Sequence, residues 1–172
     1  MVFYINKTKF TIEFSFILII AFSMLFSSQR VLNIILFASL HEAGHIAALY
    51  LFGGKAEEIR LAFYGIGLKH SSDLKHYQEL IFLLSGIIVN LTFLALGIHK
   101  DINLVLFIIN ALPVYPLDGG RALSLVLPYK ACKIISIFTV TAIILYAVIT
   151  MNISAFLIAA YIIIFSLKEE IR

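Results

Sequence analysis

Three residues with metal-site side chains, His41, Glu42 and His45, lie inside the almost wholly apolar stretch from Val31 to Phe52. A carboxylate at the centre of a membrane-spanning helix costs about 2.5 to 3.5 kcal/mol, so such groups usually mark a function. Positions i and i+4 share one helix face, which lets both imidazoles reach one ion while Glu42 holds a water there. The spacing predicts a zinc hydrolase site. The alternative is that all three are polar groups satisfied by neighbouring helices.

A catalytic zinc ion normally has three protein ligands and an open position for water, so a third ligand is needed. Asp118 is the candidate, because it closes an apolar stretch that contains Pro113 and Pro116. The prolines break the helix, and irregular backbone in a membrane is tolerated only where protein or a water-filled cavity satisfies it. The alternative is an ordinary helix end, with Asp118 solvated in a turn.

Apolar residues dominate the 172-residue chain, which is 62% hydrophobic and 13% charged, with a mean hydropathy of +1.03. That much apolar surface cannot be hidden inside a soluble domain of this length. Because a span needs about 20 residues, we predict an all-α membrane protein with a single domain over residues 1–172. Its six transmembrane helices are expected near 12–28, 31–52, 77–98, 102–117, 131–150 and 153–167.

The ends of these spans carry two further predictions. Only Met151 and Asn152 separate the fifth span from the sixth, which predicts a tight helical hairpin there. The first span is preceded by two lysines and followed by small residues, as in a signal peptide, but no clear small-x-small cleavage site follows. We therefore expect the first span to be retained.

The distribution of basic residues predicts the topology. Eleven of the thirteen Lys and Arg fall on one side of the six spans, and only Arg30 and Lys100 fall on the other. The positive-inside rule then places both termini of this multi-pass protein in the cytoplasm, with the lipid bilayer of the cell membrane around it. The basic residues form no run or aromatic-interleaved patch, so no nucleic-acid partner is expected.

The same topology sets the depth of the predicted zinc ligands. His41 and His45 lie in the cytoplasmic half of the second span, and the fourth span delivers Asp118 to the same side. These three residues would then form a His-His-carboxylate site with one open position. Glu42 would be the catalytic base that takes a proton from water and hands it to the leaving amine.

The segment near residues 57–69 alternates in a way typical of a strand. Ile59, Leu61 and Phe63 fall on one face, while Glu58, Arg60, Ala62 and Tyr64 fall on the other, and glycines follow. We predict a short β-hairpin or strand at the cytoplasmic surface, whose free edge could pair with an extended substrate. The alternative is a simple connector.

Two motifs together resemble the site-2 protease family of intramembrane zinc metalloproteases. They are His41-Glu-Ala-Gly-His45 in one span and Asn110-x-x-Pro113-x-x-Pro116-Leu-Asp118-Gly-Gly in a later one. Between them, the segment from Ser85-Gly86 to Asn90 is similar to the family's small-residue segment ending in Asn, with Ile87 where the family usually has Pro.

The resemblance implies a six-span core in which three central helices carry His41, Glu42, His45 and Asp118. It also implies a protease that cuts membrane-tethered proteins. It looks most like the bacterial sporulation branch, whose members process a membrane-tethered sigma factor precursor and are held in check by inhibitory membrane partner proteins. Members of that branch typically append a nucleotide-sensing CBS domain, and we expect this protein to be without one.

The resemblance also draws attention to two asparagines as substrate-binding candidates. Asn90 is expected to face the interior of its span together with Gly86 and to contact the substrate. The alternative for Asn90 is a hydrogen bond that joins two helices without a catalytic role. Asn110 is likewise a candidate for substrate contact, but the alternative that it holds the broken backbone near Pro113 is favoured.

Two other functions use the same residues. In a zinc-binding membrane transporter, the ligands would hold zinc for passage, and polar residues would be expected along a path to the outer face. The outer halves of the spans offer little beyond Ser and Thr. A catalytically silent membrane scaffold would be expected to have lost Glu42 or one of the predicted metal ligands. Glu42 and all three ligands, His41, His45 and Asp118, are present.

Overall fold

The computed structural model describes residues 1–5, 8–25, 28–62, 65–70 and 73–170, without the side chains of residues 5, 65, 66, 154, 161 and 164–170. The described elements, in chain order, are β1 (Val2–Ile5), β2 (Thr8–Ile12), α1 (Phe14–Leu25), α2 (Gln29–Leu51), β3 (Ala56–Ala62), β4 (Gly65–His70), α3 (His76–Ala95), α4 (Lys100–Ala111), α5 (Asp118–Val126), α6 (Tyr129–Thr150) and α7 (Ile153–Glu170). The chain divides into two compact units, Met1–Phe107 and Ile108–Arg172. A single domain over residues 1–172 stays a prediction.

The helices are those of a membrane protein. Within the described ranges, α2, α3 and α6 are each long and apolar enough to cross a membrane. Helix α1 is apolar but has 12 residues, and α7 has 18. The mostly helical, multi-pass architecture agrees with the sequence prediction, whereas the number of six spans stays a prediction.

Helices α2 and α3 pack against each other at small residues. A Cβ placed on Gly44 of α2 would lie 2.8 Å from Cγ2 of Val89 and 3.0 Å from the carbonyl oxygen of Ser85, both on α3. Glycine therefore lets the two backbones approach closely, as small residues do between membrane helices. Further along, Phe37 packs edge-on against Phe93 with ring centroids 5.2 Å apart.

A four-stranded sheet with the strand order β1-β2-β3-β4 belongs to the first unit. Strands β3 and β4 pair antiparallel and form a hairpin where the sequence predicts a hairpin or strand, near residues 57–69. Phe63 and Tyr64, which the predicted alternation includes, lie outside the described residues. The hairpin of β1 and β2 was not predicted from the sequence, and β2 joins β3 in parallel.

A charged cluster holds the amino-terminal hairpin to the rest of the sheet. Nζ of Lys9 lies 3.1 Å from Oε1 of Glu58, and Oγ1 of Thr11 donates to the same oxygen at 3.0 Å. Arg60 adds a contact to that oxygen at 3.3 Å. The hydrogen bond from Lys9, followed by that from Thr11, lowers the pKa of Glu58 from 4.5 to about 2.

The second unit contains the helix break that the prolines predict. Helix α4 ends at Ala111, earlier than the expected end of the fourth span at residue 117, because Pro113 cannot continue it. The carbonyl of Pro113 accepts a hydrogen bond from Oγ of Ser136 at 3.2 Å. Asp118 therefore does not end the helix of the predicted fourth span but is the first residue of α5, a helix that was not predicted.

Two glycines let α5 begin against the broken segment. A Cβ on Gly119 would lie 2.5 Å from the carbonyl oxygen of Ala111, and one on Gly120 would overlap the backbone of Val114 and Tyr115. No side chain fits at either position without moving backbone atoms. The Gly-Gly pair after Asp118 is thus required by packing within this unit.

Helices α6 and α7 form the predicted helical hairpin. Helix α6 ends where Met151 adopts a left-handed conformation with φ of 51°. Oδ1 of Asn152 then accepts a hydrogen bond from the backbone N–H of Ala155 at 3.2 Å, which caps the start of α7. Cys132, near the start of α6, is buried, and its Sγ lies 3.6 Å from the carbonyl oxygen of Leu127.

Candidate metal centre

His41 and His45 lie one turn apart on the face of α2 that packs against α3. Each residue is only 4% exposed. Their Nε2 atoms lie 3.2 Å from each other. The possible ligand atoms of His41, half-buried Glu42 and His45 all lie within 4.8 Å of one another. The structure thus brings together the three residues that the helical spacing predicts to meet.

The backbone of α3 orients the ring of His45. Its Nδ1 lies 2.7 Å from the carbonyl oxygen of Phe82, which also accepts a hydrogen bond from Oγ of Ser85 at 2.6 Å. A carbonyl oxygen can only accept, so Nδ1 of His45 must carry the proton. The lone pair of this imidazole is therefore on Nε2, the nitrogen that faces His41.

An asparagine side chain orients the ring of His41. Its Nδ1 lies 2.6 Å from Oδ1 of Asn90, and Nδ2 of Asn90 donates to Oδ1 of Asn103 at 3.1 Å. With the oxygen of the amide toward the ring, Nδ1 of His41 donates and Nε2 keeps its lone pair. Metal-ligating histidines commonly donate their second ring N–H to such a partner.

This geometry fits a divalent cation bound by nitrogen. Two lone pairs that face each other at 3.2 Å repel unless a positive charge lies between them. Two ligands of a tetrahedral zinc ion at Zn–N distances of about 2.0 to 2.1 Å lie about 3.3 Å apart, close to the distance found here. Imidazole nitrogens are ligands that zinc prefers, and the carboxylate of Glu42 lies close to both of them.

Gly86 of α3 leaves room for the ion. A Cβ at this position would lie 2.5 Å from Nε2 of His45 and 2.7 Å from Nε2 of His41, so a side chain would fill the place where an ion could bind both nitrogens. Asn90 lies one turn further along the same face of α3, and both residues are buried. This agrees with the expectation that the two residues face the interior together.

The paired imidazoles and Glu42 leave three of the predicted site residues to be located, namely Asn90, Asn110 and Asp118. Asn90 has both atoms of its amide group engaged by His41 and Asn103, and its contact with a substrate stays a prediction. Asn110 is the penultimate residue of α4, in the second unit, and its substrate contact likewise stays a prediction. Asp118 is a half-buried residue of the second unit, and its role as third ligand stays a prediction.

Asn103 is a polar residue of this region that was not singled out from the sequence. It lies within α4 and is fully buried at 0% exposure. An isolated amide in an apolar helix must find hydrogen-bond partners, because burying it without them is costly. The sequence therefore indicated that Asn103 needs hydrogen-bond partners, but it did not indicate which residues these partners are.

Comparison with known proteins identifies the fold. No protein-family model matches the sequence, and no curated protein matches it. The structure matches a solved structure described as "Site-2 Protease from Methanocaldococcus jannaschii", with a TM-score of 0.68 and 23% identity. The match covers 98% of this chain and 94% of that chain. The chain has the site-2 protease fold.

The site-2 protease fold is what the two sequence motifs imply together. The resemblance stated from His41-Glu-Ala-Gly-His45 and the Pro-rich segment before Asp118 is therefore confirmed at the level of the fold. The similarity to the sporulation branch and the expected lack of its nucleotide-sensing domain both stay predictions.

Proposed function

We propose that this protein is an intramembrane zinc metalloendopeptidase that hydrolyses peptide bonds of membrane-tethered proteins. The observation that carries the proposal is the pair of buried imidazoles whose Nε2 atoms lie 3.2 Å apart. The Nδ1 atoms are held by other acceptors, and the carboxylate of Glu42 belongs to the same cluster. The site-2 protease fold over 98% of the chain supports the same conclusion.

The chemistry divides between the ion and the protein. When bound, Zn²⁺ supplies a Lewis acid that polarises the peptide carbonyl and makes water a nucleophile at neutral pH. The two imidazoles would hold the ion through Nε2. Glu42 takes the proton from the attacking water and delivers it to the leaving amine nitrogen as the peptide bond breaks. Its position next to His41, within 4.8 Å of the other ligand atoms, supports this role.

Asp118 is proposed as the third zinc ligand. A catalytic zinc site keeps one position open and needs three protein ligands, and α2 supplies two. The support for Asp118 is its motif, in which a broken helix precedes an aspartate and two glycines. The chain folds this motif as a helix break followed by α5, with Asp118 as the first residue of that helix.

The edge of β4 is the proposed docking strand for the substrate. β4 is the last strand of the sheet and, within the described ranges, pairs on one side only, with β3. Its final residue His70 packs its ring against that of Phe82 at 4.9 Å, and the Phe82 carbonyl holds His45. A substrate added to this edge would be extended, as peptide hydrolysis requires, and would lie near the metal centre.

The cellular setting follows from the charge distribution and the family resemblance. We place the active site near the cytoplasmic face of the cell membrane, with both termini in the cytoplasm. A sigma factor precursor and inhibitory membrane partners are the substrate and regulators that the sporulation branch implies. Genomic neighbours of the gene would test this assignment directly.

A paired assay of metal content and cleavage tests the function. Glu42→Gln should abolish cleavage of a co-expressed membrane-tethered substrate while zinc stays bound, because the amide cannot accept the proton. His41→Ala should lose both. If the protein is a transporter, the unaltered protein should transport zinc without cleaving the substrate, and His41→Ala should lose that transport. If it is a silent scaffold, the unaltered protein should bind zinc but show neither transport nor cleavage. Cleavage that persists in the Glu42→Gln protein would overturn the proposed mechanism.

A further inference from the structure

Two fully buried amides connect the ring of His41 to the backbone before α4. Nδ2 of Asn103 donates to the carbonyl oxygens of Ile98 and His99 at 2.9 and 3.3 Å. Oδ1 of Asn103 accepts from Nδ2 of Asn90, and Oδ1 of Asn90 lies 2.6 Å from Nδ1 of His41. Both asparagines are 0% exposed, and the two hydrogen bonds that join His41, Asn90 and Asn103 are buried.

The direction of every hydrogen bond in this series is fixed from one end. The two carbonyl oxygens can only accept, so the amide nitrogen of Asn103 must face them. The oxygen of the Asn103 amide then faces Asn90 and must accept a hydrogen bond from the nitrogen of the Asn90 amide. The oxygen of Asn90 is left toward His41, whose Nδ1 must donate. The proton of the imidazole is thereby held on Nδ1, and the lone pair is left on Nε2.

We propose that Asn103 is a positioning residue for the metal centre. It sets the orientation of the Asn90 amide, and through Asn90 it sets the tautomer of His41 that exposes Nε2 to an ion. The role in metal binding rests on the proposed function. The effect on the His41 tautomer does not, because it exists in the metal-free protein.

The two histidines differ in a way that makes this role necessary for His41 alone. Nδ1 of His45 meets the backbone carbonyl of Phe82, a group that cannot exchange its acceptor for a donor. Nδ1 of His41 meets a side-chain amide, which presents either oxygen or nitrogen after rotation by half a turn. Asn103 removes the second choice. Loss of Asn103 should therefore affect His41 and leave His45 unchanged.

Nitrogen-15 NMR of the metal-free, full-length protein in nanodiscs, with labelled histidine, measures both tautomers in one sample. In the unaltered protein, both buried rings should carry the proton on Nδ1. In Asn103→Leu, a population of His41 with the proton on Nε2 should appear, while His45 stays the same. Asn33→Leu is the matched control, since Asn33 lies on α2 and hydrogen bonds to Gln29 instead.

A conservative variant separates positioning from a merely structural role. Asn103→Asp presents an oxygen to Asn90 in either protonation state, so the His41 tautomer should be retained even if this variant is less stable. Zn²⁺ affinity should fall about tenfold in Asn103→Leu and much less in Asn103→Asp. In an Asn90→Leu background, Asn103→Leu should cause no further loss of Zn²⁺ affinity.

Two results would overturn the proposal. One is a wild-type His41 that carries its proton on Nε2, and the other is an unchanged His41 tautomer in folded Asn103→Leu. If Asn103→Leu does not fold, a changed His41 tautomer in Asn103→Asp would contradict the proposal instead. A protein that binds no Zn²⁺ but shows the expected tautomers would refute the proposed function and leave the positioning role intact.

Discussion

Gly86 of α3 faces His45 of α2 so closely that a Cβ on Gly86 would lie 2.5 Å from Nε2 of the imidazole. The same Cβ would lie 2.7 Å from Nε2 of His41. The absence of a side chain at one position of α3 therefore leaves open the place between two nitrogens of α2. This relationship gives the first prediction.

Gly86→Ala should strongly weaken metal binding while the protein still folds. The added methyl group would displace both imidazoles from the geometry that holds an ion. We expect Zn²⁺ affinity to fall by about 100-fold or more, beyond the 10- to 100-fold typical of changes behind the ligands. Isothermal titration with Zn²⁺ on the purified protein measures this affinity.

Gly67→Ala is the matched control for the glycine substitution. Among the described residues, the nearest atom to a Cβ on Gly67 would be the carbonyl oxygen of Arg60 at 4.0 Å, so the change fits without movement. This variant should bind Zn²⁺ as the unaltered protein does. Wild-type affinity in Gly86→Ala would contradict the assignment of the ion to the space beside Gly86.

Asp118→Ala tests the third ligand. If Asp118 binds the same ion as the two histidines, its loss should lower Zn²⁺ affinity and abolish cleavage together, because the ion loses a charged oxygen donor. Asp118→Glu should retain part of the affinity. Asp73→Ala, an exposed residue between β4 and α3, is the control. Undiminished zinc binding in Asp118→Ala would assign the third position to another residue.

The two edges of the sheet allow a test of substrate docking. A photo-crosslinking amino acid at exposed Lys69 of β4 should capture a bound substrate in the Glu42→Gln protein, which binds but does not cut. The same amino acid at Tyr4 of β1, the opposite edge, should not. Mass spectrometry of the crosslinked products distinguishes the two positions. Capture at Tyr4 alone would reverse the proposed docking edge.

The charged cluster around Glu58 predicts a loss of stability in acid. The pKa of this carboxyl is 4.5 ordinarily and about 2 in the folded protein, so the folded state binds its proton less tightly than the unfolded state does. The stability that the ionised carboxylate contributes is thus fully present above pH 4.5 and is lost as the pH falls toward 2. The lost contacts are those with Lys9, Thr11 and Arg60.

Thermal unfolding in detergent between neutral pH and about pH 2 measures this contribution. Glu58→Gln should destabilise the protein by about 1 kcal/mol at neutral pH, because the ion pairs lie partly in solvent. The difference from the unaltered protein should shrink as the pH falls below 4.5. Glu57→Gln, at the exposed neighbouring position, should show no such dependence. A constant difference down to the lowest pH would contradict the assignment.

Features set by local sequence were predicted well. The helix break before Pro113, the hairpin between α6 and α7 and the hairpin of β3 and β4 each depend on residues close together in the chain. The parallel pairing of β2 with β3 was missed because it joins segments about fifty residues apart, as in the register of Lys9 with Glu58. Helix α5 was missed because its Asp-Gly-Gly start is also typical of a turn.

The sequence by itself determined that His41 and His45 share one face of a helix, because that follows from the 3.6-residue period alone. It also determined the apolar character that makes these polar residues expensive to bury. Only the tertiary structure decided which ring nitrogens face each other, because that depends on groups brought by other elements. These groups are the carbonyl of Phe82, the amides of Asn90 and Asn103, and the missing side chain of Gly86.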